Sequence, residues 1–198
     1  MRRIVLGLFL GVLLSAATAA AQSGAGSVST PRVEIAAGYT LLRARTVVPS
    51  GFNLHGGSIA VAANVNRWLG FVGEVAYDST KDVPPSGFTL NITSYLFGPR
   101  VSYRGHDRIT LFAHDLIGVG HAGGTLYTAG FQQGSAPPAA QNDFAMALGG
   151  GLDVNLSRRW AIRAFQTDWL FTTFPNGMGN HQHSFRFTTG VVLRFGGR

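Results

Sequence analysis

The chain has 198 residues and no cysteine, so it has room for one domain or one barrel but holds no disulfide scaffold, thiolate metal site, thiol nucleophile or lipoprotein anchor. Charged residues make up 13%, against about 25% in an ordinary soluble domain. With 27 Gly and 14 Phe beside three Met, the composition excludes a coiled coil and a disordered tail.

The first segment reads as an address. Arg2 and Arg3 precede the apolar run Ile4 to Leu14, and small residues follow to Ala19, Ala20 and Ala21. This is the order of a cleaved secretory signal, expected over 1–21, with a mature chain of 22–198. The apolar run is too short for the ~20 residues of a spanning helix.

After Gln22 the chain alternates with period 2, and no sustained 3.6-residue pattern appears. Eight segments follow in order: 32–42, 57–66, 68–78, 88–104, 108–121, 142–155, 160–171 and 183–195. In the sixth, Phe144, Met146, Leu148, Leu152 and Val154 share one face, while Ala145, Ala147, Gly149, Gly151 and Asp153 share the other. In the last, Phe185, Phe187, Val191, Leu193 and Phe195 oppose Ser184, Arg186, Thr188 and Arg194.

The connections alternate in length. Arg67, the triplet 105–107 and the stretch 156–159 are short; 43–56, 79–87, 122–141 and 172–182 are long and rich in Gly, Pro, Ser and Gln. Short turns at one end and long loops at the other mark a transmembrane β-barrel, whereas a sandwich mixes the two. One face of each segment is bulky and apolar and the other is small or charged, which suits a barrel turned apolar-side out into lipid. The fold expected is therefore all-β, an eight-stranded antiparallel up-and-down transmembrane barrel. Aromatic residues fall at segment ends, as interfacial belts require. Trp68, Tyr103, Trp160 and Phe195 lie at the short-turn end; Tyr39, Tyr77, Tyr95 and Trp169 lie toward the long loops.

Four features carry a family resemblance: the leading signal, the segment Phe97-Gly-Pro-Arg-Val101, the loop alternation, and the ending Thr189-Gly-Val-Val-Leu-Arg-Phe195. The mature chain resembles the outer-membrane β-barrel domain family, of the eight-stranded OmpA-like type found in Gram-negative bacteria. The resemblance implies residence in the outer membrane, contact with its lipids, and insertion by the barrel-assembly machinery. A final strand ending in Phe195 resembles the signal that machinery reads, although Gly196, Gly197 and Arg198 follow it.

Net charge is +7, nearly all from Arg, with Lys81 the one lysine. A secreted chain with no basic helix does not point to nucleic acid. Arg67, Arg104, Arg108, Arg158 and Arg159 gather at the short turns and suggest anionic headgroups as neighbours. Six charges fall on the inward faces: Glu74, Arg100, Asp153, Asp168, Arg186 and Arg194. Buried charges need partners. The expected pairings are Glu74 with Arg100 and Asp168 with Arg186 on adjacent strands, with Asp153 and Arg194 both low in the barrel. By strict alternation Arg163 faces away from Asp168 and snorkels at the turn end, and His114 and Asp115 cannot both point inward without a bulge.

Other motifs carry little. Gly118-Val-Gly-His-Ala-Gly123 matches GxGxxG, but no helix pattern follows, so nucleotide binding is not expected. His181, His183 and Ser184 are the one His/Ser cluster. On a strand His183 and Ser184 point to opposite faces, so a nucleophile and its base do not meet. His181 and His183 could share one face of a metal site, but no third ligand is evident. Neither catalytic residues nor cofactors nor metals are expected. The leading function is a small, monomeric barrel with a plugged lumen and loops, 122–141 above all, that meet an extracellular partner. A narrow pore for small solutes is the alternative, and a lipid-modifying enzyme a weaker one.

Overall fold

The computed structural model describes residues 30–44, 51–83, 87–125, 140–174 and 181–197. The proposed signal at 1–21 lies outside them. Eight strands follow in chain order: β1 (Val33–Ala44), β2 (Phe52–Asn64), β3 (Leu69–Val83), β4 (Phe88–His106), β5 (Ile109–Gly123), β6 (Ala140–Asn155), β7 (Trp160–Thr172) and β8 (Gln182–Phe195). Each pairs antiparallel with the next, and β8 returns to β1 with Phe195 opposite Val33, closing the ring. Closure leaves no edge strand, so the ladders run around the whole ring apart from local irregularities, as a bilayer demands.

The strands run from 12 to 19 residues, longer than the ~9–11 that cross a membrane. The surplus lies on the long-loop side, where the two faces exchange character. Between the aromatic belts the outside is apolar: Ile59, Val61, Phe71, Val75, Phe97, Ile117 and Phe187 are all exposed. Beyond Tyr39, Tyr77 and Tyr95 the outward residues become Arg43, Asn53, His55, Ser79, Asn91 and His121. At that level the inside is mainly apolar, filled by Leu42, Leu54, Val83, Leu90, Ile92 and Phe174, with the hydrogen-bonded pair Thr172 and Gln182 beside them. The barrel thus behaves as a membrane protein in its lower part and as a water-soluble barrel in its upper part.

This exchange explains where the predicted segments fell short. β2 begins at Phe52 rather than 57 and β3 runs on to Val83 rather than 78, because their upper ends carry polar outward residues that read as loop. It also alters the lumen, in which large apolar side chains were not expected.

The two belts are spaced for a bilayer. Trp68 and Tyr77, and Trp160 and Trp169 on β7, are each nine positions apart. Nine residues at ~3.3 Å each, tilted by ~40°, rise about 23 Å, close to the ~25 Å apolar band of such barrels.

Candidate functional site

The polar groups of the lumen form two layers below the apolar plug. The upper layer centres on Arg186 from β8, whose side chain is fully buried. Its Nε and Nη2 donate to Asp168 at 3.1 and 2.9 Å, Nη2 also donates to Glu74 from β3, and Nη1 reaches Ser94 Oγ at 3.4 Å. Asp168 accepts further bonds from His114 Nε2 and Gln166 Nε2, both at 2.8 Å. Higher still, Thr40 donates to the buried Asp78.

The lower layer is built on two carboxylates. Glu34 meets Arg194 at 2.9 Å and both Arg100 and Arg104 at 3.2 Å. Asp153 meets Arg163 at 2.9 Å and Arg100 at 3.6 Å. Phe112 is clamped between two guanidinium groups, 4.3 Å from Arg100 and 4.5 Å from Arg163. Such cation–π contacts gain strength where water is excluded. Arg163 Nη1 donates to Gln166 Oε1 at 2.7 Å and so ties the two layers together. Between them remains a void of about 10 Å³, room for one water at most.

Gly149 and Gly151 make this packing possible. A Cβ on Gly149 would overlap the Asp168 carboxylate and the Thr167 carbonyl, and one on Gly151 would lie 2.8 Å from the Phe112 ring. The inward faces of β6 are bare so that an anion and an aromatic ring can occupy the space.

All six charges placed in the lumen by alternation lie there, buried. Asp168 and Arg186 pair as adjacent strands allow, but the expected Glu74–Arg100 pair does not form. Glu74 bonds Arg186 rather than Arg100, and Arg100 joins Glu34 and Asp153 instead. Arg194, low in the barrel as expected, pairs with Glu34, which stands directly opposite it on β1. Glu74–Arg186 and Glu34–Arg100 cross the lumen, because in so narrow a barrel a long side chain reaches a distant strand as readily as the next one.

Five lumen groups were missed or misplaced: Glu34, Asp78, Arg104, His114 and Arg163. Arg163 is the instructive case. The β7 register jumps between Arg163 and Gln166 against β8, and between Leu152 and Asp153 against β6, which leaves Ala164 as the extra residue of a bulge. The bulge reverses parity, so Arg163 and Asp168, five positions apart, both face inward. The Thr189 hydroxyl donates to the Arg163 carbonyl at 3.0 Å and supports the bend. Arg104, placed among the turn cations by its position, folds back into the lumen, its side chain 5% exposed and 3.2 Å from Glu34.

On the outer face Asp115 points away from the lumen, midway between Leu111 and Val119 on β5, and its buried Oδ1 has no hydrogen-bond partner. Opposite it stands Pro99, which has no N–H to offer, and the β4–β5 pairing lapses there without a shift of register. Ser184 lies in the lumen, whereas His181 and His183 lie outside against Phe171 and Trp169, with His183 stacked 5.3 Å from Trp169. The GxGxxG stretch is strand, part of β5. Among the described residues, no group of three or more His, Cys, Asp or Glu is placed to hold a metal.

Of the interfacial residues, Trp160 and Phe195 are about half exposed, Tyr103 less so, and Trp68 and Trp169 are half-buried. Phe195 closes the seam against Val33.

The barrel is similar to solved structures of outer-membrane proteins. Neisserial surface protein A matches with a TM-score of 0.64 at 12% identity, over 82% of this chain and 97% of that one. Ail, the attachment invasion locus protein of Yersinia pestis, matches at 0.56 and 17%, over 84% and 99%. OprG from Pseudomonas aeruginosa matches at 0.50 and 8%, over 85% and 98%. No curated protein matches the chain. The family comparison matches residues 8–195 to the outer membrane protein β-barrel domain. With that match over nearly its whole length, and with the inverted barrel that underlies it, the chain belongs to the outer-membrane protein β-barrel domain family.

Proposed function

We propose that this protein is a non-conducting barrel that holds surface loops for contact with an extracellular partner. The observation that carries the reading is the double ion-paired layer beneath an apolar plug, with a void of only about 10 Å³ between the two layers among the described residues. Buried charges held this way are costly to separate, because removing one partner strands the other in a dry site. The barrel is a rigid mount, and binding belongs to the loops above it. A role in surface contact is consistent with Ail, a similar barrel whose name is attachment invasion locus protein.

The proposal has no catalytic step. Ser184 and the two nearby histidines stand on opposite sides of the barrel wall, beyond the reach a general base needs. Anionic lipids and the barrel-assembly machinery complete the expected partners, the latter reading the strand that ends at Phe195. The barrel works as a monomer, since closure leaves no strand edge for a second copy to extend.

Reconstitution into planar bilayers tests the reading. Flat current traces at high protein load are expected. Steps in the nanosiemens range would overturn it in favour of the narrow pore.

A further inference from the structure

The buried lumen charges balance as a whole but not layer by layer. Five acids, Glu34, Glu74, Asp78, Asp153 and Asp168, face five arginines, Arg100, Arg104, Arg163, Arg186 and Arg194. The upper level holds three of the acids against Arg186. The lower level holds Glu34 and Asp153 against the other four arginines, a formal excess of two positive charges. Glu34 alone is shared among three guanidinium groups.

Donors outnumber acceptors in that lower level. Arg104 gives Nη1 to the Arg67 carbonyl at 2.7 Å and Nη2 to Glu34, while its Nε is buried without a hydrogen-bond partner. Arg100 Nε is in the same state. Unpaired buried donors of this kind are costly and uncommon. At Arg104 opens a polar hollow of about 400 Å³ at the short-turn mouth, with Arg104, Arg158, Arg194, Thr110 and Asn155 in its wall and Asp107 the one acid among the lining residues.

We infer that this hollow binds a small phosphate-like oxyanion between Arg104, Arg158 and Arg194. An oxyanion brings the acceptors and the negative charge that the lower level lacks, and guanidinium groups suit its geometry. The wall adds the Thr110 hydroxyl, and Asn155 is already turned inward, accepting from Arg194 Nη1 at 2.5 Å. In bacterial barrels the short turns face the periplasm, so the anion comes from that side, either free in solution or as a lipid headgroup.

Calorimetric titration of the whole protein in a zwitterionic detergent, with inorganic phosphate at constant ionic strength, tests the site. Saturable binding is expected for phosphate and not for chloride. Arg158→Gln, an exposed substitution that leaves the lumen untouched, should weaken it about tenfold, the loss of one charge-assisted contact. Arg104→Gln should abolish it, and Arg43→Gln, at the opposite end, should change nothing. Equal binding by Arg158→Gln and the parent protein, or heats that follow ionic strength alone, would overturn the inference. Nanodiscs separate the two sources. Phosphate binding that persists in discs containing phosphatidylglycerol supports a soluble anion; binding seen in pure phosphatidylcholine discs but blocked by phosphatidylglycerol supports a headgroup in the same site.

Discussion

Replacing Arg186 by methionine removes the one cation of the upper layer while keeping most of its volume. Four hydrogen bonds end on its guanidinium, two on Asp168 and one each on Glu74 and Ser94. The substitution strands Glu74 and Asp168 in a site that water hardly reaches. A buried charge left without its partner costs about 3–5 kcal/mol, and that is the expected loss for Arg186→Met. Glu74→Gln alone leaves the Asp168 pair intact and should cost less, about 1–3 kcal/mol for one charged hydrogen bond. Adding Glu74→Gln and Asp168→Asn to Arg186→Met should recover most of the loss, because neutral amides need no counter-charge. Urea unfolding in lipid vesicles, followed by tryptophan fluorescence and by the mobility shift on boiling, measures all three. If Arg186→Met stays within about 1 kcal/mol of the parent, the range of an exposed pair, the layer is hydrated and the plugged lumen is refuted.

Three further outcomes follow from the strand wall. Deleting Ala164 removes the β7 bulge and turns Arg163 to the lipid about a third of the way from the Trp160 belt to the Trp169 belt, where the cost lies between about 1 kcal/mol near the interface and about 2–4 kcal/mol at the midplane; the unboiled protein should lose part of its fast-migrating band. Gly149→Ala puts a methyl where the Asp168 carboxylate and the Thr167 carbonyl already stand, and should lower stability in the same urea assay by about 1–3 kcal/mol, the range for overpacking. Asp115→Ala takes an unbonded carboxylate off the lipid face and should raise the unfolding midpoint; a lower midpoint would mean that Asp115 has a partner in the bilayer.

Much of this architecture is legible in the amino-acid order, because a barrel wall repeats every two residues and a membrane sharpens the contrast between its faces. β6 and β8 read correctly to the residue: Ala145, Ala147 and Asp153 in, Phe185 and Phe187 out. The charged lumen was legible as a set but not as a network. Alternation says which face a residue takes, and adjacency suggests a neighbour, but Glu34, Arg100 and Asp153 come from β1, β4 and β6 and meet only across the closed ring. Arg163 was hidden by one inserted residue, which carries no signal of its own beyond the conflict between Arg163 and Asp168 that parity created. Glu34 was passed over in the weakly alternating, Ala-rich start of β1, and Asp78 beside a tyrosine where the faces exchange. Arg104 read as a turn cation because it sits at a strand end, yet its length lets it fold back into the lumen.

The exchange of faces above the tyrosines has a mechanical consequence. From Tyr77 to Val83, six residues at ~3.3 Å and ~40° of tilt lift the rim about 15 Å above the belt. That collar has its own dry interior, so its rigidity does not depend on the bilayer around the lower wall. The strand ends that bear the long connections stand clear of the headgroups, so changes in the length or composition of those connections fall outside the wall that inserts into lipid and the layers that fill the lumen. Surface variation and membrane anchoring are thereby assigned to separate stories of one cylinder.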